Sequence, residues 1–325
     1  MRGLITVALR SPWMGGMLAL FLLLLYPVSG KAIPQPLASA ISPSLTAPGG
    51  PQNKYWLRAK ELVDKNVRYI IDQHPAEVDR GIRNHKLIRG DRGTKYIALT
   101  FDDGPHPRFT RRLLAVLKRC KVKATFFVVG EMAERYPQLV KAELADGHCI
   151  GNHTYHHVNL TKISRDEAAT EIAACNEVLK RVTGQKPHLF RPPGGDYNHQ
   201  IAEISEVLGD VMVLWSDDPG DYASPGTQII QTRLLAKVKG GSVILVHDGI
   251  EQTLEILPQM IAYFRKQGYE FVTIDEMIAL QKSNPAGKSQ EREMTSKTEL
   301  VTSARTKSAV APVHTAPNER GNTAH

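Results

Sequence analysis

Two adjacent carboxylates stand at the end of an apolar run: Thr100-Phe101-Asp102-Asp103-Gly104-Pro105 follows Lys95-Tyr96-Ile97-Ala98-Leu99. The run is rich in strand formers, and Gly104-Pro105 ends it. Successive strand side chains point to opposite faces, so Asp102 and Asp103 can serve one site in the same role only if the strand ends between them. Alone, the pair could simply cap a turn. A second group follows at Gly151-Asn152-His153-Thr154-Tyr155-His156-His157. His153 and His157 are four apart, the spacing of one face of a helical turn, and His156 is three from His153, so spacing leaves the second of a converging pair open. Two imidazoles and one carboxylate with an open position make up a hydrolytic metal centre. Three further groups fall where strands should end: Arg191-Pro192-Pro193-Gly194-Gly195, Asp217-Asp218-Pro219-Gly220-Asp221-Tyr222 and Leu245-Val246-His247-Asp248.

From residue 94 onward, apolar runs of strand length alternate with segments of helical period. Strands are expected at 95–100, 124–129, 188–191, 211–215, 242–247 and 270–273. Helices are expected at 109–119, 132–146, 166–182, 200–208, 227–238, 254–267 and from 274 or 275 to 281. Ser164 with Glu167 three residues on predicts a capping box for the third of these helices. Strands alternating with helices imply parallel pairing in an α/β domain, whose sites lie at the C-terminal strand ends. Before it, 79–93 reads as a charged loop, and 55–71 reads as a helix lying on the outside of the domain.

The ends of the chain read differently. Arg2 and Arg10, an apolar block from Trp13 to Val28, and Ser29-Gly30 form the pattern of an export signal. The block is short against the about 20 apolar residues of a membrane span, so cleavage is expected, with an uncleaved membrane tether as the alternative. The division expected is 1–30 signal or anchor, 31–93 Pro/Ser-rich linker and flanking helix, 94–281 catalytic domain, and 282–325 polar, disordered tail. Cys120, Cys149 and Cys175 are too few for a disulfide scaffold, and spacing assigns no pair. The formal charge of +8 suits anionic polymers or membrane surfaces, yet aromatics are only 6% and no basic-aromatic module appears, so nucleic acid is not an expected partner.

With these motifs in hand, the stretch from about Lys95 to Ala279 resembles the polysaccharide deacetylases, the NodB-homology domain of carbohydrate esterase family 4. Thr100-Phe101-Asp102-Asp103 is similar to the first family motif, which implies Asp102 as general base and Asp103 as metal ligand. His153-Thr154-Tyr155-His156-His157 is similar to a motif whose outer histidines bind metal, which implies His153 and His157. Arg191 takes the place of the arginine that holds the base. Asp218-Pro219-Gly220-Asp221-Tyr222 and Leu245-Val246-His247 resemble the fourth and fifth motifs, with His247 as general acid kept protonated by a carboxylate such as Asp218. A backbone N–H near Gly194 would help hold the oxyanion. Gly194 and Tyr222 stand where the family often has an aromatic residue and Trp, a departure that bears on the substrate. The resemblance implies a distorted (β/α) barrel of about seven parallel strands. It also implies a divalent metal, expected to be Zn2+ with Co2+ or Ni2+ as options. The expected activity is removal of N-acetyl groups from an extracytoplasmic amino-sugar polymer, peptidoglycan first. A xylan O-acetyl esterase, a chitin deacetylase and an inactive carbohydrate-binding relative are the alternatives.

Overall fold

A computed structural model describes residues 55, 56, 58, 59, 62 and 85–283. The expected signal block and most of the linker, together with the tail from 284 onward, lie outside these residues. The three described cysteines are free thiols. No helix among the described residues is long and apolar enough to cross a membrane.

Eight parallel strands form the centre: β1 Lys86–Leu87, β2 Tyr96–Gly104, β3 Thr125–Val128, β4 Cys149–Asn152, β5 Leu189–Phe190, β6 Val211–Val213, β7 Val243–His247 and β8 Glu270–Val272. Their order is β1-β6-β5-β4-β3-β2-β7, with β8 also paired to β2. Beyond β6 the chain returns to β7, where Leu245 N–H donates to Asp217 O at 2.9 Å and a parallel bridge joins Asp217 to Ile244. That return curls the sheet into a distorted barrel. β2 pairs with three strands, β3, β7 and β8, and its Ile97, Ala98, Leu99 and Phe101 are fully buried. A strand apolar on both faces is the mark of a parallel strand covered on both sides.

Within residues 85–283, eight helices wrap the strands: α1 Thr110–Cys120, α2 Gly130–Arg135, α3 Pro137–Ala145, α4 Arg165–Thr183, α5 His199–Val207, α6 Thr227–Lys237, α7 Glu251–Lys266 and α8 Ile274–Ser283. The capping box at Ser164 forms: Ser164 Oγ accepts Glu167 N–H, and Glu167 Oε2 accepts Ser164 N–H at 2.9 Å. α4 then ends at Gly184 in the left-handed region.

Two expectations need correction. The single helix at 132–146 is two helices, because Tyr136 leaves helical geometry and Pro137 begins the second at its first turn. The charged stretch 79–93 is not all loop: Lys86 and Leu87 pair with Met212 and Val213, so the domain begins before residue 94. Eight described strands agree with the expected distorted barrel of about seven; β1 and β4 are the two that periodicity did not place, since they carry no strand signal of their own. The expected outer helix is helical at its described residues, and Tyr55 and Ala59 are buried against the domain.

Candidate active site

The C-terminal ends of β2, β4, β5 and β7 supply the site. On β2 the register against β3 slips by one residue between Phe101 and Gly104. This bulge, with Asp103 at φ +71°, breaks the strand alternation. It is the local reason that neighbouring aspartates reach one space.

Asp102 is 1% exposed, and its Oδ1 accepts Arg191 Nη1 at 2.6 Å. Arg191 is fully buried and immobilised on every side. Nε and Nη2 donate to the carbonyls of Val213 and Leu214, each at 3.0 Å, and Nη1 also donates to Thr100 Oγ1 at 2.9 Å. The guanidinium lies 4.0 Å over the Phe127 ring. A buried ion pair needs this degree of satisfaction, because stripping water from both charges is costly. Asp102 pairs in register with His247 on β7, which places base and acid candidates on adjacent strands.

Asp103 Oδ1 lies 3.1 Å from His157 Nε2 and 3.4 Å from His153 Nε2. These atoms fall within 4.8 Å of one another. All three are out of solvent with no hydrogen-bond partner. Orphaned polar atoms converging in this way fit a shared cation, and the donor set of two imidazoles and a carboxylate is one that zinc accepts. His153 Nδ1 is 2.8 Å from Arg191 O. A carbonyl only accepts, so Nδ1 carries the proton and Nε2 turns its lone pair to the site. Burial pushes the Asp103 carboxyl up, but the His157 charge beside it, with smaller help from His247, holds it well below the usual range. The convergence does not come from a helical turn. β4 ends at Asn152, and the loop beyond bends through positive φ at Thr154 (+66°) and His157 (+60°). His156 is turned away, with Nδ1 2.6 Å from Glu171 Oε1. Of the two histidines left open by spacing, His157 is the one that faces His153.

His247 is 2% exposed, and its Nδ1 donates to Asp221 Oδ1 at 2.7 Å. Asp221 Oδ2 accepts His247 N–H at 2.9 Å and Thr253 Oγ1 at 2.5 Å. Burial lowers the imidazole pKa, but the Asp221 charge and hydrogen bond outweigh it, with smaller help from Asp103 and Asp102, and lift it to about 9. The partner expected here was Asp218. The structure corrects that choice: Asp218 Oδ1 is engaged by Gly220 N–H at 2.6 Å, closing a turn, and the 3-10 segment Asp221–Ala223 delivers Asp221 to the imidazole. Both aspartates belong to one motif, and spacing cannot say which of them the turn aims inward. Tyr222 lies edge-on to His247 at 5.8 Å between ring centroids. Gly194 and Gly195 both take positive φ, and a Cβ at Gly195 would stand 2.6 Å from the Trp215 ring.

Sequence reasoning also missed Glu171, a fully buried carboxylate on α4. Its only sequence signal is a charge on the apolar stripe of an amphipathic helix.

A family model for polysaccharide deacetylase matches residues 89–213. A peptidoglycan-N-acetylglucosamine deacetylase of Bacillus cereus is 39% identical over 189 residues, spanning 57% of this chain and 88% of that protein. The peptidoglycan-N-acetylmuramic acid deacetylase PdaC of Bacillus subtilis is 33% identical over 222 residues, 68% of this chain but only 46% of PdaC. Among solved structures, a peptidoglycan N-acetylglucosamine deacetylase in complex with a hydroxamate-type ligand superposes with a TM-score of 0.58 at 36% identity, covering 59% of this chain and 92% of the other.

Proposed function

The chain belongs to the polysaccharide deacetylase family, carbohydrate esterase family 4, and from that membership we propose that it removes N-acetyl groups from peptidoglycan outside the cytoplasm, using a divalent cation. The observation that carries the reading is the convergence of Asp103, His153 and His157 beside the buried Asp102–Arg191 and His247–Asp221 pairs. Zinc is the proposed ion, because two imidazoles and one carboxylate are its hydrolytic donor set.

When bound, the cation supplies Lewis acidity, polarising the acetyl carbonyl and acidifying a water. The chain's own groups do the rest. Asp102, oriented by Arg191, takes the proton from the attacking water. His247 commits Nδ1 to Asp221, so Nε2 is the ring atom that delivers a proton to the departing amine nitrogen. An amine leaves poorly unprotonated, so amide cleavage depends on this acid more than ester cleavage does. A backbone N–H near Gly194 would help hold the developing oxyanion.

The relatives' named activities on peptidoglycan support the choice of polymer, and Gly194 and Tyr222, which stand where the family often has an aromatic residue and Trp, bear on how the sugar sits. The basic-apolar-small pattern of residues 1–30 supports export. The test is acetate release from peptidoglycan, chitooligosaccharide and acetylated xylan in parallel, with and without chelator. Release from peptidoglycan, abolished by chelator and restored by zinc, is expected. Release from xylan alone would make the protein an esterase, and no release from any polymer by zinc-loaded protein would leave a binding relative.

A further inference from the structure

The loop from Asn152 to His157 carries both imidazole ligands, yet its backbone is not in a comfortable conformation. Thr154 is β-branched and sits at φ +66°, and His157 sits at φ +60°, both in the region that branched and bulky residues avoid. Something outside the loop must hold it there. Its carbonyls are held from one side: Gly130 N–H donates to Thr154 O and Glu131 N–H to Tyr155 O, each at 2.9 Å. Its amides are held from the other side by one carboxylate. Glu171 Oε2 accepts Tyr155 N–H at 3.0 Å and His156 N–H at 2.8 Å.

The remaining oxygen of Glu171 is equally engaged. Oε1 meets His156 Nδ1 at 2.6 Å and accepts Tyr55 Oη–H at 2.7 Å. Four donors on one fully buried carboxylate satisfy a charge that would otherwise be costly to bury. The last donor comes from outside the domain core. Tyr55 and Trp56 are helical residues some thirty positions upstream of the segment matched by the family model. Trp56 stacks on Tyr155 at 5.0 Å between centroids and meets His156 edge-on at 4.6 Å. The two aromatic residues close over the back of the loop.

We propose that Glu171, capped by Tyr55 and covered by Trp56, is a positioning residue that fixes the spacing of His153 and His157 and thereby sets the site's affinity for its divalent cation. The proposal rests on the reading of Asp103, His153 and His157 as the cation's ligands. A ligand loop ordered in advance binds without first losing freedom, so loosening it weakens binding even though no ligand is touched. A carboxylate that merely supported the fold would affect stability and leave affinity alone.

The experiment uses the full chain as wild type, Glu171→Gln and Tyr55→Phe. Zinc affinity is read by competition with a chromophoric chelator, beside the melting temperature of the metal-free proteins and kcat at limiting and saturating zinc. Glu171→Gln should weaken zinc binding roughly tenfold or more, and Tyr55→Phe by about threefold, with kcat largely recovered at saturating zinc. Unchanged zinc affinity in both variants, whatever their melting temperatures, overturns the proposal. If Glu171→Gln fails to fold, Tyr55→Phe decides alone by the same criterion. A wild-type protein that binds no zinc overturns the metal-site reading itself and this inference with it, a result distinct from a wild type that binds while the variants match it.

Discussion

Asp102 and Asp103 are neighbours in the chain with different surroundings, so the same substitution should have different consequences at each. Asp102 is tied to Arg191, whereas Asp103 Oδ1 faces two imidazoles. Asp102→Asn should keep bound zinc and lose activity, since removal of a general base costs roughly 10²–10⁴ in rate. Asp103→Asn should lose zinc, and excess zinc should restore part of the activity. Metal analysis of the two purified variants beside their turnover checks this, and reversed metal contents would exchange the two roles. The acid has its own pair of variants. His247 donates only while protonated, and its pKa is lifted to about 9, so activity should persist up to that pH and fall above it. Burial alone would lower that pKa, and Asp221 is the largest group raising it. Asp221→Asn should therefore move the alkaline limb of the kcat profile to lower pH, while Asp218→Asn, whose carboxylate closes a turn onto Gly220, should leave it in place. A limb that moves with Asp218 and not with Asp221 would reinstate the partner that spacing first suggested.

At the scale of elements, the chain's periodicity carried most of the barrel, and the exceptions have physical reasons. β2 and β7 are apolar on both faces, and α4 has both an apolar period and a capping box, so each is visible locally. β1 is two residues long and exists only because β6 offers an edge, which no local signal reports. β4, Cys-Ile-Gly-Asn, has one β-branched residue, and Gly151 lies where a Cβ would meet the Phe127 ring at 2.6 Å. The candidate ligands were legible because residue type limits the chemistry. Their approach was not, since it depends on a bulge in β2 and positive φ values that a sequence does not mark outside glycine. α4 allows a test of whether helix ends and the site are separable. Ser164→Ala removes the acceptor for Glu167 N–H at the exposed start of the helix, two turns before Glu171. Loss of such a cap costs about 1 kcal/mol. For a domain of this size that lowers the melting temperature by about 2–4 °C. Zinc affinity and kcat should match wild type. A change in zinc affinity would mean that fraying travels along α4 to the metal loop.

At the scale of the whole molecule, one buried imidazole lies away from the C-terminal strand ends and allows stability to be read without touching the site. His148 precedes β4, is 4% exposed, and lies edge-on to Phe126 at 5.2 Å. Its Nδ1 accepts Ala124 N–H at 3.1 Å, which requires the neutral ring. Burial first, then the Lys123 charge, against a smaller pull from Asp146, lower its pKa from 6.5 to about 4. The folded value lies below the unfolded one, so the unfolded chain binds the proton more readily. The stability this group contributes is complete above pH 6.5 and is lost as pH falls from there towards about 4. Two buried carboxyls work in the opposite sense. Burial raises Asp248 to about 6 and lifts Glu143 well above its usual range, so both favour folding more as they become protonated. The wild-type profile mixes these effects, and a difference between two proteins isolates one of them. His148→Asn keeps an acceptor near Ala124 N–H but cannot take up a proton. Between pH 6.5 and about 4, its unfolding free energy should fall less steeply than wild type, by up to one proton's worth, about 1.4 kcal/mol per pH unit. Above pH 7 the two curves should run parallel. Denaturant titrations at half-unit pH intervals provide the measurement. Curves that stay parallel through the acid range would show that His148 titrates alike in the folded and unfolded chain, and that the hydrogen bond to Ala124 does not hold the ring neutral.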